Sequence, residues 1–445
     1  MPSECTTCAL TVIEPLGAPL SGVARVPGDK SISHRSVLFA AMAEGSSRLS
    51  GVLDSADVRS SLAAVEALGA QVSVEKQPDG SLAGVVTGWG ARGPRQPEEP
   101  VYCGNSGTTV RLLMGILAPW NVSVELTGDE SLSRRPMRRI TGPLSLMGAR
   151  FLPEGRETLP ITCAGSAGLK GVSFDSPVAS AQLKTAMLLA GVFAQGVTTV
   201  REPAPSRNHT ELMLPEFGVP VVHEPGMASV TGPCVLHAAD VRVPGDPSSA
   251  AFVACAAALC PGSDVTIENV GLADARIGFA RVLERMGADI EIALESDEGR
   301  EPRGSMRISY VPGLRACEVA EREIASMVDE IPVLALVAAR AQGTTVFHGV
   351  GELRVKETDR LQAIIDGLSQ LGVRAWAEGD DLHVEGAPDA PVPHGLVFDS
   401  RGDHRLAMTW ALVALTGSVA VSIRDFEAVS VSYPQFLSDM QRLVR

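Results

Sequence analysis

Apolar residues follow two alternating modes along this chain. In the first, a run of about ten residues is apolar on nearly every side, which predicts a helix buried all round. Such runs begin near His34, Thr109, Gln182, Ser249, Ile331 and His404. In the second, apolar residues recur on one helical face only, as at Leu361, Ile364, Ile365, Leu368 and Leu371, which predicts a half-buried helix. Short β-rich runs separate the two kinds: Val122 to Leu126, Val197 to Arg201, Asp264 to Glu268, Thr344 to His348 and Val419 to Arg424. The amphipathic helices often close on one signature, Leu68-Gly-Ala70, Met147-Gly-Ala149, Met286-Gly-Ala288 and Leu371-Gly-Val373. Glycine there suits a left-handed cap before a strand. Six units result, each an apolar helix, a turn, a strand, an amphipathic helix and a further strand.

A unit with one fully apolar helix is not satisfied by a sheet sandwiched between helix layers. The apolar helices must lie inside, enclosed by sheets, with three units to a domain. That arrangement gathers the inner-helix N-termini at one end of each domain, and six such ends are expected to face one cleft. Polar residues sit at these starts: Lys30 to Arg35, Gly104 to Arg111, Ser180 to Lys184, Ser248-Ser249, Asp329-Glu330 and Asp403 to Arg405. Capping accounts for Ser248-Ser249. It does not account for lysines and arginines, which the helix dipole disfavours at an N-terminus. In the first stretch Pro27-Gly28 makes a turn, Ser31 or Ser33 caps the helix, and Lys30, Ser31 and Arg35 meet its exposed N–H groups as an anion site. Residues 243 to 262 repeat this plan with Pro247 in place of Lys30.

At 445 residues, 45% hydrophobic and 20% charged, the chain is long enough for two large-cored domains. The expected division is an N-terminal three-repeat domain over 25–240, and a C-terminal one from 1–24 with 241–445, crossing over at Asp240 to Pro244. A net charge of -14 argues against nucleic acid as a partner. An acidic protein binds an anion by focusing scarce positive charge in one place. Neither a signal pattern nor an apolar run of membrane length is present, so a cytoplasmic protein with no membrane association is expected. The eight cysteines read as reduced thiols, and Cys5 and Cys8, which lack a second pair, do not make a zinc site, so no metal is expected. Glu295 to Pro302 reads as a charged, exposed loop.

The densest charged motif is Glu352-Leu-Arg354-Val-Lys356-Glu357-Thr-Asp359-Arg360, with Lys356 and Arg360 one helical turn apart and Glu357 between them. Such a group binds an anion and holds a proton donor. Together with Pro27-Gly-Asp-Lys-Ser-Ile-Ser-His-Arg35, Gly104-Asn-Ser-Gly-Thr-Thr-Val-Arg111, Arg134-Arg-Pro136 and Asp403-His-Arg405, it closely resembles the 5-enolpyruvylshikimate-3-phosphate synthase family over almost the whole chain, in order. The resemblance implies an α/β fold, a two-domain inside-out α/β barrel of six βαβαββ repeats, three per domain. It implies a monomer that transfers enolpyruvyl from phosphoenolpyruvate to the 5-hydroxyl of shikimate 3-phosphate, without a cofactor or metal.

Carried over residue by residue, the resemblance places Lys30, Ser31, Arg35, Ser180, Ala181, Gln182, Ser206, Asp329 and Lys356 on shikimate 3-phosphate. Lys30, Asn105, Gly107, Thr108, Arg135, Gln182, Arg360 and Arg405 fall on phosphoenolpyruvate. Asp329 is the implied base for the attacking hydroxyl, while Glu357 and Lys30 are both candidates for moving protons at the methylene carbon. His34 and His404 are expected to orient neighbours. Three positions depart from the family's commonest pattern: Val431 stands where a lysine reaches phosphoenolpyruvate, His209 replaces an aromatic hydroxyl and Glu352 an amide. Glyphosate is implied as an occupant of the phosphoenolpyruvate site, with Gly107 as the deciding residue. A sister enzyme acting on UDP-N-acetylglucosamine would carry a lysine-asparagine motif early and a reactive loop cysteine; here Lys30-Ser31 stands early and Cys103 lies beside the glycine-rich segment. A non-catalytic anion-binding scaffold would not need Asp329 and Glu357 as well as the arginines. An RNA-end-modifying enzyme of related fold is disfavoured by the negative charge.

Overall fold

The computed structural model describes residues 10–166, 168–296 and 301–444. Cys5, Cys8 and part of the Glu295 to Pro302 loop lie outside them. The chain divides into two compact units. Among the described residues, one comprises 27–244 with Glu301, and the other 10–26, 245–296 and 302–444. They are called here the N-terminal and C-terminal units.

The N-terminal unit holds three four-stranded sheets, each with one parallel pair at its edge and antiparallel neighbours beyond. In the middle repeat Val101–Tyr102 runs parallel to Ser123–Thr127, with Val101 opposite Leu126. Ser123–Thr127 in turn pairs antiparallel with Ile161–Ala164. Strands Ser46–Val52, Ser123–Thr127 and Gly196–Arg201 of these pairs each follow directly on a helix. Those three helices, Lys30–Met42, Gly107–Leu117 and Ala181–Phe193, are the apolar ones, and past their first turns nearly every side chain is buried. The N-terminal core forms around them. Helices Gly107–Leu117 and Ala181–Phe193 pack backbone to backbone, since a Cβ built on Gly115 would stand 2.2 Å from the carbonyl oxygen of Ala186.

The C-terminal unit repeats the scheme around helices Pro247–Leu259, Ile331–Ala338 and His404–Leu415. All of the last two and all but the final residue of the first are buried, consistent with runs that carry no polar face. Helix Arg360–Gln370 turns Leu361, Ile364 and Leu368 inward, and Leu371 just past its end is buried with them. The signature glycines Gly69, Gly148, Gly287 and Gly372 all have positive φ, as a left-handed cap before a strand demands.

The strand ahead of each crossing between units was not legible as such. Val241–Arg242 lies parallel to Ser46–Val52 and supplies the first strand of the first repeat. Ser21–Ala24 lies parallel to Asp264–Gly271 and does the same for the fourth. The crossings fall at 26/27 and 244/245, because each short strand stays with the unit whose sheet it completes. The sixth repeat is closed by Leu10–Ile13, antiparallel to Val421–Arg424. Among the described residues no helix is long and apolar enough to cross a membrane.

Candidate active site

The first inner helix begins one turn earlier than its apolar run. Its N-cap is Asp29, whose carboxylate accepts the Ile32 N–H at 2.8 Å, and neither Ser31 nor Ser33 takes that place. Ser33 instead accepts the Leu53 N–H at 2.9 Å, so its hydroxyl is spent on packing. Lys30 and Ser31 therefore lie in the first turn, where N–H groups and the dipole favour anions. Lys30 Nζ is 2.6 Å from Asp57 Oδ2. Arg35 is buried, its Nε donating to Thr210 Oγ1 and its Nη2 to Thr185 Oγ1, both at 2.8 Å, and its Nη1 to the Ser31 carbonyl at 3.0 Å. His34 bonds Ser61 Oγ at 2.8 Å. Burial drives its pKa down to about 3, the nearby Lys30 and Arg35 adding to this against Asp57 and Asp29, so it stays neutral.

The second and third inner helices start beside one another. Gln182 joins them, its Oε1 accepting from Arg111 Nη1 at 2.7 Å and its Nε2 donating to Thr108 Oγ1 at 3.1 Å. Asn105 accepts from Arg135 Nη2 and donates to Asp129 Oδ2 at 2.7 Å. The space beside Gly107 is bounded by two guanidinium groups: a Cβ there would lie 3.0 Å from Arg111 Nη1 and 3.4 Å from Arg135 Nη1. Arg111 has its pKa pushed down to about 10, first by burial and then by repulsion from Arg135 and Arg139. A like-charged cluster at a helix start is built to receive an anion. Sequence reasoning missed Arg111 as a site residue, although its i+4 spacing from Gly107 puts the two on one helical face.

In the C-terminal unit the corrected feature is the Lys356 to Arg360 stretch. It is not one helical turn; the helix starts at Arg360, capped by Asp359, and Lys356 precedes it in extended backbone. Arg360 has a side chain only 1% exposed and is held by three carboxylates. Its Nε donates to Asp403 Oδ2 at 2.7 Å, its Nη1 to Asp329 Oδ1 at 2.9 Å and its Nη2 to Glu357 Oε2 at 2.7 Å. Arg405 Nη1 donates to Glu330 Oε1 at 3.1 Å, and its Nη2 lies 3.8 Å from Asp329 Oδ2. Lys356 pairs with Glu352 and stands 3.9 Å from Asp329 Oδ1. Burial pushes the Glu357 carboxyl up, but Arg360 and His404 outweigh it and hold it down at about 2, so it is ionised at neutral pH. Asp403 and Glu330 carry no role that their motifs alone reveal. Both are buried, and they fix Arg360 and Arg405 respectively.

The structure thus brings Asn105, Gly107, Thr108, Arg135 and Gln182 together in one unit and Asp329, Lys356, Glu357, Arg360 and Arg405 together in the other. Ser180 caps the helix Ala181–Phe193, and both Ser180 and Ser206 bond to Glu202. Val431 ends a short 3-10 turn, Phe426–Val431, and Glu352 is exposed. His209 is buried in the short helix His209–Met213. Among the described residues no group of His, Cys, Asp or Glu is placed to hold a metal, and six cysteines are free thiols.

Two sets of three buried helices, one set in each unit and each start carrying charge or capping groups, define the fold of an enolpyruvyl transferase. The chain superposes on the enolpyruvyl transferase NikO from Streptomyces tendae with a TM-score of 0.76, at 19% identity over 98% of this chain and 97% of that one. It superposes on EPSP synthase from Acinetobacter baumannii with a TM-score of 0.88, at 39% identity over 98% of both chains. The sequence pattern of EPSP synthase (3-phosphoshikimate 1-carboxyvinyltransferase) matches residues 16–440. The 3-phosphoshikimate 1-carboxyvinyltransferase of Xanthomonas campestris pv. campestris (strain B100) is 44% identical over 425 residues, 94% of each chain. That of Methylococcus capsulatus is 44% identical over 421 residues, 95% of this chain and 94% of its own. The chain belongs to the EPSP synthase family.

Proposed function

We propose that the residues gathered at the inner-helix starts carry the enolpyruvyl transfer of this family, from phosphoenolpyruvate to the 5-hydroxyl of shikimate 3-phosphate with release of inorganic phosphate. Lys30, Ser31, Arg35, Ser180, Ala181, Gln182, Ser206 and Lys356 bind shikimate 3-phosphate. Lys30, Asn105, Gly107, Thr108, Gln182, Arg135, Arg360 and Arg405 bind phosphoenolpyruvate, with Arg111 added by its place beside Gly107. Asp329 takes the proton of the attacking hydroxyl, whose oxygen bonds to C2 of phosphoenolpyruvate while C3 gains a proton. Loss of phosphate from C2 and of a proton from C3 then restores the C2=C3 double bond and gives the enol ether. The arginines stabilise the carboxylate and phosphate as charge develops.

The observation that carries this reading is Asp329 and Glu357 hydrogen-bonded to one buried guanidinium. A base candidate and a proton-transfer candidate share the cation that would grip the donor substrate. The protein is proposed to work in the cytoplasm as a monomer, with no nucleic-acid partner, and to bind glyphosate in competition with phosphoenolpyruvate. Phosphate release on mixing the protein with shikimate 3-phosphate and phosphoenolpyruvate tests the reading. Release that needs both substrates supports it, and none under any ratio of the two sinks it.

A further inference from the structure

One cation at an inner-helix start has no place in that reaction. Lys184 is the fourth residue of helix Ala181–Phe193, where the dipole disfavours positive charge, and its side chain is 4% exposed. Its Nζ lies 2.9 Å from Glu202 Oε2 and 2.8 Å from Glu211 Oε1. Glu202 has a side chain that is 0% exposed, yet it follows a strand and meets the loop that carries Ser206. Its Oε1 accepts the Ser180 backbone N–H at 2.6 Å, and both its oxygens lie 2.8 Å from Ser206 Oγ. A buried carboxylate persists only when such donors compensate it.

We propose that Glu202 is a positioning residue for the phosphate-bearing substrate, holding Ser180 and Ser206 in register, with Lys184 neutralising it from behind. The proposal rests on the assignment of Ser206 to shikimate 3-phosphate. One carboxylate ties the backbone of the helix's N-cap residue to a side chain on the following loop. A second tie runs alongside: Thr185 and Thr210 hydroxyls are 2.6 Å apart, and Arg35 donates to both. Three groups assigned to one ligand, Arg35, Ser180 and Ser206, are therefore fixed by one pair of elements. Lys184 has a structural task too, but without Glu202 it would not reach either serine. The Ser206 hydroxyl has a single hydrogen. Glu202 holds it in the ligand-free protein, and a phosphate oxygen takes it over by rotation about the Cβ–Oγ bond. Lys184 and the Ser180 N–H then keep Glu202 compensated, so the handover leaves no carboxylate unpaired beside the incoming dianion.

Steady-state kinetics of Glu202→Gln, Ser206→Ala and the double variant test this. Glu202→Gln should raise KM for shikimate 3-phosphate about tenfold or more, the scale of one lost charge-assisted hydrogen bond. Both kcat and the KM for phosphoenolpyruvate should stay within about threefold, because Glu202 touches no reacting atom. In the Ser206→Ala background the same change should cost less than about threefold, since its partner is gone. Glu202→Asp keeps the charge facing Lys184 and withdraws the carboxylate by one methylene, so it should fold and give the same KM shift. Glu211→Gln loosens Lys184 without reaching either serine; it should lower the melting temperature and leave KM unchanged. An unchanged KM in both Glu202 variants, or an equal cost with and without Ser206, overturns the proposal. A KM shift in Glu211→Gln as large as in Glu202→Gln overturns it as well, by reducing the effect to stability. A wild-type KM in Ser206→Ala alone instead removes Ser206 from the substrate site, and this inference with it.

Discussion

Asp329 Oδ1 accepts a hydrogen bond from Arg360 Nη1 at 2.9 Å, so the candidate base is held in the ligand-free protein by the cation assigned to phosphoenolpyruvate. An anion that draws Arg360 toward itself loosens this bond and frees the carboxylate to accept a proton from the hydroxyl. Asp329→Ala is expected to lower kcat by about 10²- to 10⁴-fold, the usual contribution of a general base. Calorimetric binding of shikimate 3-phosphate should change far less. Lost binding with turnover per bound ligand intact would make Asp329 a ligand-positioning group.

Glu357 gives a pH dependence of definite sign. Its carboxyl lies at about 2 in the folded protein against an ordinary value of 4.5. A depressed carboxyl contributes stability that is present above the ordinary value and lost as pH falls through the folded one. The melting temperatures of wild type and Glu357→Gln should therefore differ at pH 6, converge below about 4.5 and meet near 2. A gap that stays constant from pH 6 to pH 3 would contradict the depressed value. The same low value means that Glu357 must first gain a proton if it is to donate one to the methylene carbon. Lys30, the other candidate, stands 2.6 Å from Asp57 Oδ2.

The buried helices were readable because a run with no polar face has only one stable placement. Ile331–Ala338 and His404–Leu415 begin where their apolar runs begin. The motif residues were readable for the opposite reason, since lysine and arginine at a helix start violate the dipole and mark a purpose. What failed to show were pairings set by tertiary structure. A two-residue strand such as Val241–Arg242 has too few positions to display a period, and its partner Ser46–Val52 lies nearly two hundred residues away. Asp29 as the first cap was obscured by two nearby serines of similar capping strength. Glu202 reads as an unremarkable residue at a strand end, and only the fold brings Lys184, Ser180 and Ser206 to it.

Gly115 is where two inner helices come closest, and its substitution tests how tightly the N-terminal core is set. An added Cβ would sit 2.2 Å from the Ala186 carbonyl oxygen, a backbone atom that cannot move aside without its helix. Gly115→Ala should destabilise the protein by about 1–3 kcal/mol, the cost of overpacking a filled core. Because the same helices begin at Gly107 and Ala181, the Arg111–Gln182 bond should stretch and the KM for phosphoenolpyruvate rise. A urea midpoint equal to wild type would show that the helices separate freely.

Gly107 offers the reverse case, a methyl that meets side-chain ends instead of backbone. The new Cβ would approach Arg111 Nη1 at 3.0 Å and Arg135 Nη1 at 3.4 Å, both at the tips of flexible chains. They can yield by a few tenths of an ångström, so Gly107→Ala should keep a melting temperature close to that of wild type. The space lost is the space between the helix start and the two guanidinium groups, which the proposed function gives to phosphoenolpyruvate. Glyphosate is the longer molecule and has less room to shift within that space. The inhibition constant for glyphosate should rise about tenfold or more, the scale of an overpacked contact, while the KM for phosphoenolpyruvate rises less. Initial rates at several concentrations of both compounds decide the matter. Non-competitive inhibition, or equal loss of both ligands in the variant, would remove Gly107 from the wall of that site.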